Sequence, residues 1–252
     1  MEIILISIFA FIAGFIDSII GGGGLIQIPA LMVLFPTIPL PTLFGVNKFS
    51  SISGTTMAII NYTYNVKYPK RYLIKGAVTA FIFSAIGAFL VTIISPGFLR
   101  PFVIFLLIFV LVYTLIKKDF GKIKQKHFEK NIIALLIFSS IIGFYDGFFG
   151  PGTGSFLIFC FIYFMNLNFL QASASAKIIN FSTNLSALLY FILSGHFILH
   201  LAIIMAIFNI LGAYVGTKSA IKFGTKYIRI LFILIVSILI IKLILDQIKL
   251  SF

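Results

Sequence analysis

Apolar runs of about 18 or more residues recur along the whole chain, separated by short polar or basic interruptions. A bilayer hydrocarbon core of roughly 30 Å calls for helices of about 20 residues, so each run reads as a membrane helix. The pattern predicts spans near 41–64, 73–94, 99–117, 171–193, 198–217 and 228–247, and two longer segments, 3–35 and 131–166, that glycines interrupt. The expected architecture is an all-α polytopic membrane protein of about 8–10 helical segments. A polar, basic stretch, GKIKQKHFEKN, divides the chain into repeats at 1–120 and 131–252 around a linker at 121–130, which the basic residues place in the cytoplasm.

Composition narrows the class. Of 252 residues 61% are hydrophobic and 10% charged, with 31 Phe, no Trp and a mean hydropathy of +1.18, more apolar surface than a soluble domain of this size can hide. The formal charge of +13 would suit nucleic acid, but the basic residues fall mostly in short loops, where they orient membrane helices. No nucleic-acid partner is expected; the partner is the lipid bilayer of the cytoplasmic membrane. The opening MEIILISIFAFIAGF lacks the basic start and small-residue cleavage site of a signal peptide, so the N-terminus is expected to be retained. The single cysteine, Cys160, excludes an intramolecular disulfide and a thiol metal cluster.

A shift of 129 residues, the separation of Asp17 and Asp146, lays the chain on itself without a gap. GFID at 14–17 falls on GFYD at 143–146, Gly21 on Gly150, Gly23 on Gly152, Lys48 on Lys177, Ser53 on Ser182, Gly87 on Gly216 and Arg100 on Arg229. The loop charges are swapped between the halves. YNVKYPKRYLIK is basic and ISPGFLR nearly neutral, whereas LSGHFILH has no Lys or Arg and TKSAIKFGTKYIR is strongly basic. Basic loops stay cytoplasmic, so equivalent loops are expected on opposite sides of the membrane. The reading is two inverted-topology repeats, each a glycine-broken helix hairpin plus three transmembrane helices, a common construction of secondary transporters. It puts 65–75, 117–131 and 218–228 inside and both termini outside, whether the broken segments cross fully or re-enter.

Glycine costs about 1 kcal/mol in a helix interior relative to alanine, so GGGG at 21–24 ends one helix and starts another. GFFGPGTGSF repeats the break with Pro151 and three glycines. Non-helical backbone at membrane depth must be buried in protein or line a wet cavity, and each new helix aims its free N–H groups into the break. Close helix packing is the other use of such glycines. Of six acidic residues only Asp17 and Asp146 lie deep in apolar segments. Each is a candidate for proton or ion coupling, or it caps its glycine break or pairs with Lys48 or Lys177, the pair of Lys48 with Asp17 being the one to test. Lys48 and Lys177 sit in stretches rich in hydroxyls and amides, where Asn47, Ser51 and Thr55 share one helical face, as do Lys177, Asn180 and Asn184. Such faces glue helices together; with two ammonium groups and two helix N-termini they also make an anion pocket. The candidate substrate residues are Gly22, Gly23, Gly24, Asn47, Lys48, Ser51, Gly152, Thr153, Gly154, Lys177, Asn180 and Asn184. His196 and His200, at i and i+4, have no carboxylate near them, His127 lies in the linker, and none of the three receives a role.

AGFIDSIIGGGGLIQIPAL with GVNKFSS, and GFYDGFFGPGTGSF with ASASAKIINFSTNLSALLYFILSGH, closely resemble the sulfite exporter TauE/SafE family of bacterial membrane transporters, over essentially the whole chain. The resemblance implies transport of a small sulfur-containing anion, sulfite or an organosulfonate, across the cytoplasmic membrane, driven by the proton gradient and without a cofactor. Matching positions are Asp17, Gly21 to Gly24, Pro29, Asn47, Lys48, Asp146, Gly150 to Gly154, Lys177 and Asn180. An anion channel, or a permease for another small anion or metabolite, stays open, as does a homo-oligomer. An enzyme is disfavoured, since no nucleophile–base pair or metal cluster stands out.

Overall fold

A computed structural model describes residues 1–116 and 131–223, with isolated positions between 237 and 245. Among the described residues the helices are α1 (Glu2–Ile20), α2 (Gly24–Leu34), α3 (Leu40–Asn65), α4 (Lys70–Ile93), α5 (Pro96–Ile116), α6 (Ile132–Phe148), α7 (Thr153–Met165), α8 (Phe169–Leu193) and α9 (Leu199–Phe223), and there is no strand. The all-helical membrane class expected from the apolar runs is what is seen. The two broken segments appear as α1–α2 and α6–α7, and the spans after them as α3, α4, α5, α8 and α9. The linker at 121–130 lies outside the described residues, as does the span expected at 228–247 apart from the isolated positions between 237 and 245.

Local chemistry sets the boundaries. Gly21 ends α1 with φ at 68°, and left-handed Gly152, with φ at 83°, starts α7. Both angles lie where a Cβ is strained. Asn168 and Gln171 cap α8 reciprocally, side chain to backbone in both directions. Among the described residues four helices, α1, α4, α8 and α9, are long and apolar enough to cross a membrane. α3 matches them in length with 26 residues but is more polar. α2 and α7, with 11 and 13 residues, reach only about half-way through a ~30 Å core at about 1.5 Å per residue.

The two halves are intertwined. α1 packs along α9 and α4 along α6, while α3 lies on α8 and α9 and α4 lies on α8. The 129-residue shift turns α1–α9 into α6–α4 and α3–α9 into α8–α4, so each contact has its image. α3 and α8 run antiparallel: Thr42, near the start of α3, meets His196 just after α8, and Gln171 near the start of α8 donates to the Lys67 carbonyl just after α3. Small residues allow the close approach, as is common between membrane helices. A Cβ on Gly147 would run into the Ser84 carbonyl, and one on Gly14 into that of Asn209. Polarity is turned inside out. Ile74, Val78, Ile82, Phe89 and Ile93 of α4 are exposed, whereas Lys48, Asp146 and Lys177 are buried. That arrangement suits a hydrocarbon solvent.

Candidate functional site

The site grows from the end of α1. A helix leaves its last carbonyls without intrahelical donors, and in a membrane interior no water is at hand to supply them. Side chains from the rest of the protein do so. Tyr62 of α3 donates its hydroxyl to the Ser18 carbonyl at 2.7 Å, Ser173 of α8 to Ile19 at 3.3 Å, and Ser155 of α7 to Ile20 at 2.8 Å, with the Gly21 carbonyl also in reach. The two breaks abut. A Cβ on Gly154 would lie 2.6 Å from the Gly21 Cα, and one on Gly24 would lie 3.2 Å from the Pro151 Cα.

This contact decides the ion pairs. Lys177 Nζ lies 2.6 Å from Asp17 Oδ2 and also donates to the Asp17 carbonyl. Lys48 Nζ lies 3.0 Å from Asp146 Oδ1 and donates to the Asp146 carbonyl. Each lysine therefore pairs with the aspartate of the other half. The pairing of Lys48 with Asp17 is corrected: because the breaks face one another, the acid within reach of each lysine stands across the seam. Asp17 is also a cap, since Gly22 and Gly23 donate their backbone N–H to Oδ1 at 3.0 and 3.2 Å. Asp146 accepts from the Thr153 hydroxyl at 2.9 Å. Capping and pairing, the structural roles weighed in the sequence against coupling, are both realised at Asp17, and pairing at Asp146. Desolvating two charges costs several kcal/mol per ion, recovered only with close geometry and added hydrogen bonds, and the carbonyl contacts supply these.

Between the breaks lies a cavity of about 20 Å³, room for one water-sized sphere. Gly22, Gly24, Gly152, Thr153 and Gly154 line it from the breaks. Asn47, Lys48 and Ser51 of α3 and Asn180 and Asn184 of α8 line it from the long helices, with Asp17 and Asp146 at its wall. Gly23 and Lys177 are not in the lining; both stand behind Asp17 and hold it. A larger cavity of about 550 Å³, under the loops at 35–41 and 94–99, is mainly apolar and has none of these charges on its wall. His196, which received no role, borders it and meets the Thr42 hydroxyl at 3.4 Å.

Sequence reasoning missed Tyr62, Ser155 and Ser173. The need for donors at a broken helix was readable, but these hydroxyls look like ordinary membrane-helix residues until α3, α7 and α8 converge on α1. Gln27, which donates to the Ser50 hydroxyl at 2.9 Å inside the core, was missed as well.

Comparison with known proteins adds the relationship. A family model described as sulfite exporter TauE/SafE matches residues 6–243. The chain is 36% identical over 238 residues to a "Probable membrane transporter protein ORF9" of a Sinorhizobium species, covering 94% of this chain and 90% of that protein. It is 32% identical to a "Probable membrane transporter protein" of Haemophilus influenzae, with coverage of 94% and 92%, and 34% identical to "Probable membrane transporter protein YfcA" of Escherichia coli K12, with coverage of 94% and 88%. No solved structure matches.

Proposed function

This chain belongs to the sulfite exporter TauE/SafE family of membrane transporters, and from that premise we propose that it is a secondary carrier for a small sulfur-containing anion, sulfite or an organosulfonate, coupled to protons. The observation that carries the reading is the exchanged pair of buried ion pairs at abutting helix breaks. An anion arriving there meets the Lys48 ammonium group, the N-termini of α2 and α7, and the amides of Asn47, Asn180 and Asn184, with Lys177 behind Asp17. It competes with a carboxylate for a lysine. The carboxylate that loses its lysine is then buried and unpaired, a costly state that a proton relieves. A monovalent anion, hydrogensulfite or a sulfonate, and one proton thus load together and leave the charge of the site unchanged. A cavity of about 20 Å³ is too small for a sulfur oxyanion, so loading requires the halves to separate at the breaks.

Alternating access in such carriers follows from inverted repeats, and we assign that topology here. The swapped loop charges support it, as does the antiparallel packing of α3 on α8. The loops at 35–41 and 94–99 and His196, all outside by the charge rule, border one cavity, while Gln171 lies by the Lys67 loop, inside by the same rule. In a Cys160→Ala background, Gly97→Cys and His196→Cys should react with an impermeant thiol reagent added outside intact cells. Lys70→Cys and Lys222→Cys should be shielded; reaction of only one of these two from outside would remove the inversion.

The activity test is flux in proteoliposomes with labelled sulfite and a panel of small organic and inorganic anions, with and without a pH gradient. A carrier saturates, and its accumulation follows the gradient. Unsaturable flux would make the protein a channel, and gradient-independent saturation would remove the proton from the mechanism.

A further inference from the structure

The halves differ at one backbone position where the difference is chemical. Gly22 and Pro151 are equivalent under the 129-residue shift. The Gly22 N–H donates to Asp17 Oδ1; proline has no N–H, so Asp146 cannot receive the matching bond. The consequence is visible in the carboxylates. Asp17 Oδ1 accepts from Gly22 and Gly23, and Oδ2 accepts from Lys177. Asp146 Oδ1 accepts from Lys48 and shares the single Thr153 hydroxyl proton with the Gly150 carbonyl, which lies 2.6 Å from that hydroxyl. Asp146 Oδ2 is buried with no partner.

A second acceptor is in the same condition. Asn47 Oδ1 is buried and unpartnered, and Asn47 and Asp146, 3% and 2% exposed, line the same water-sized cavity. Buried polar atoms are satisfied in the great majority of cases, so two acceptors without donors at one small cavity point to a missing donor. The other charged or titratable groups near Asp146 are engaged. Lys48 of α3 holds Oδ1, Asp17 of α1 is held by Lys177 of α8, Tyr145 of α6 donates its hydroxyl to the Pro151 carbonyl at 2.6 Å, and Tyr62 donates to Ser18.

We infer that Asp146 Oδ2 is the proton-binding atom of this site, with Asn47 Oδ1 accepting its hydrogen bond directly or through one water, and that Asp17 is a fixed counter-charge to Lys177. The inference rests on the proton-coupled reading above and narrows it from two carboxylates to one. An O–H bond forms on Asp146 Oδ2, with a proton taken from water, when Lys48 turns to the anion, and it breaks with the proton returned to water when the pair re-forms; Lys48 keeps its own protons throughout. Pro151 is the positioning residue that leaves Asp146 a donor short.

The test needs no transported substrate. Difference infrared spectroscopy of the full chain in detergent, titrated from neutral to acid, follows the C=O stretch of protonated carboxyls, and thermal unfolding confirms that each variant is folded. The buried-carboxyl band that appears first as pH falls should be absent from Asp146→Asn and present in Asp17→Asn. Pro151→Gly, which restores an N–H, should move that band to lower pH, and it carries the test if Asp146→Asn does not fold. A first band that survives Asp146→Asn and is lost in Asp17→Asn overturns the assignment, as does a Pro151→Gly titration identical to wild type. These outcomes are separate from the flux result. Gradient-independent transport with the band still assigned to Asp146 would remove coupling and leave the proton site standing.

Discussion

Replacing Lys48 with methionine is expected to destabilise the detergent-solubilised protein by about 3–5 kcal/mol and to abolish transport, because Asp146 is left as a buried charge with one donor fewer. Lys48→Met combined with Asp146→Asn should regain most of the lost stability, since the orphaned charge goes with its partner, yet remain inactive if the lysine holds the anion. Lys48→Met with Asp17→Asn should be worse than either single change, because it orphans Asp146 and Lys177 together. Thermal unfolding of the variants against wild type measures this order. Recovery in the Asp17 combination but not in the Asp146 combination would refute the exchanged pairing. Lys177→Met should cost less than Lys48→Met. Asp17 keeps two backbone donors and its side chain is 21% exposed, against 2% for Asp146, so water and N–H groups take over part of the ammonium's role.

The second large effect is expected at the seam between the breaks. Gly21 and Gly195 both have positive φ, 68° and 78°, so alanine at either should cost about 1–3 kcal/mol in backbone strain. A Cβ at Gly195 meets nothing within 4 Å, whereas one at Gly21 would overlap the backbone of Gly154 and Ser155. Gly21→Ala therefore carries a further overpacking cost of about 1–3 kcal/mol. It should also reduce transport, because the Ser155 hydroxyl is pushed off the Ile20 and Gly21 carbonyls. Gly195→Ala should transport as wild type does. Equal unfolding temperatures for the two variants would mean that the contact of the breaks adds nothing to stability.

Much of this was legible beforehand because it depends on solvent preference and local backbone chemistry. Apolar runs had to become membrane helices, GGGG and GPGTG had to interrupt them, and Asp17, Asp146, Lys48 and Lys177 were conspicuous as charges a bilayer does not admit unpaired. The convergence of α3 and α8 residues on the breaks was also readable, since the 129-residue shift demanded equivalent positions for both lysines.

Which acid each lysine meets was not readable. Within one half, Lys48 stands nearer to Asp17 in sequence, and only the abutting of Gly21 with Gly154 and of Gly24 with Pro151 brings the opposite carboxylate closer. The hydroxyls of Tyr62, Ser155 and Ser173 were hidden for the same reason: a donor gains its meaning from the carbonyl it reaches, and those carbonyls lie 44, 135 and 154 residues away along the chain. The amino-acid sequence alone determined the solvent, the breaks and the charged residues, because polarity and glycine or proline geometry act over a few residues. The tertiary structure alone decided the partners, the cavity of about 20 Å³ and the unequal satisfaction of the two aspartates, because these depend on distances of a few ångströms between distant segments.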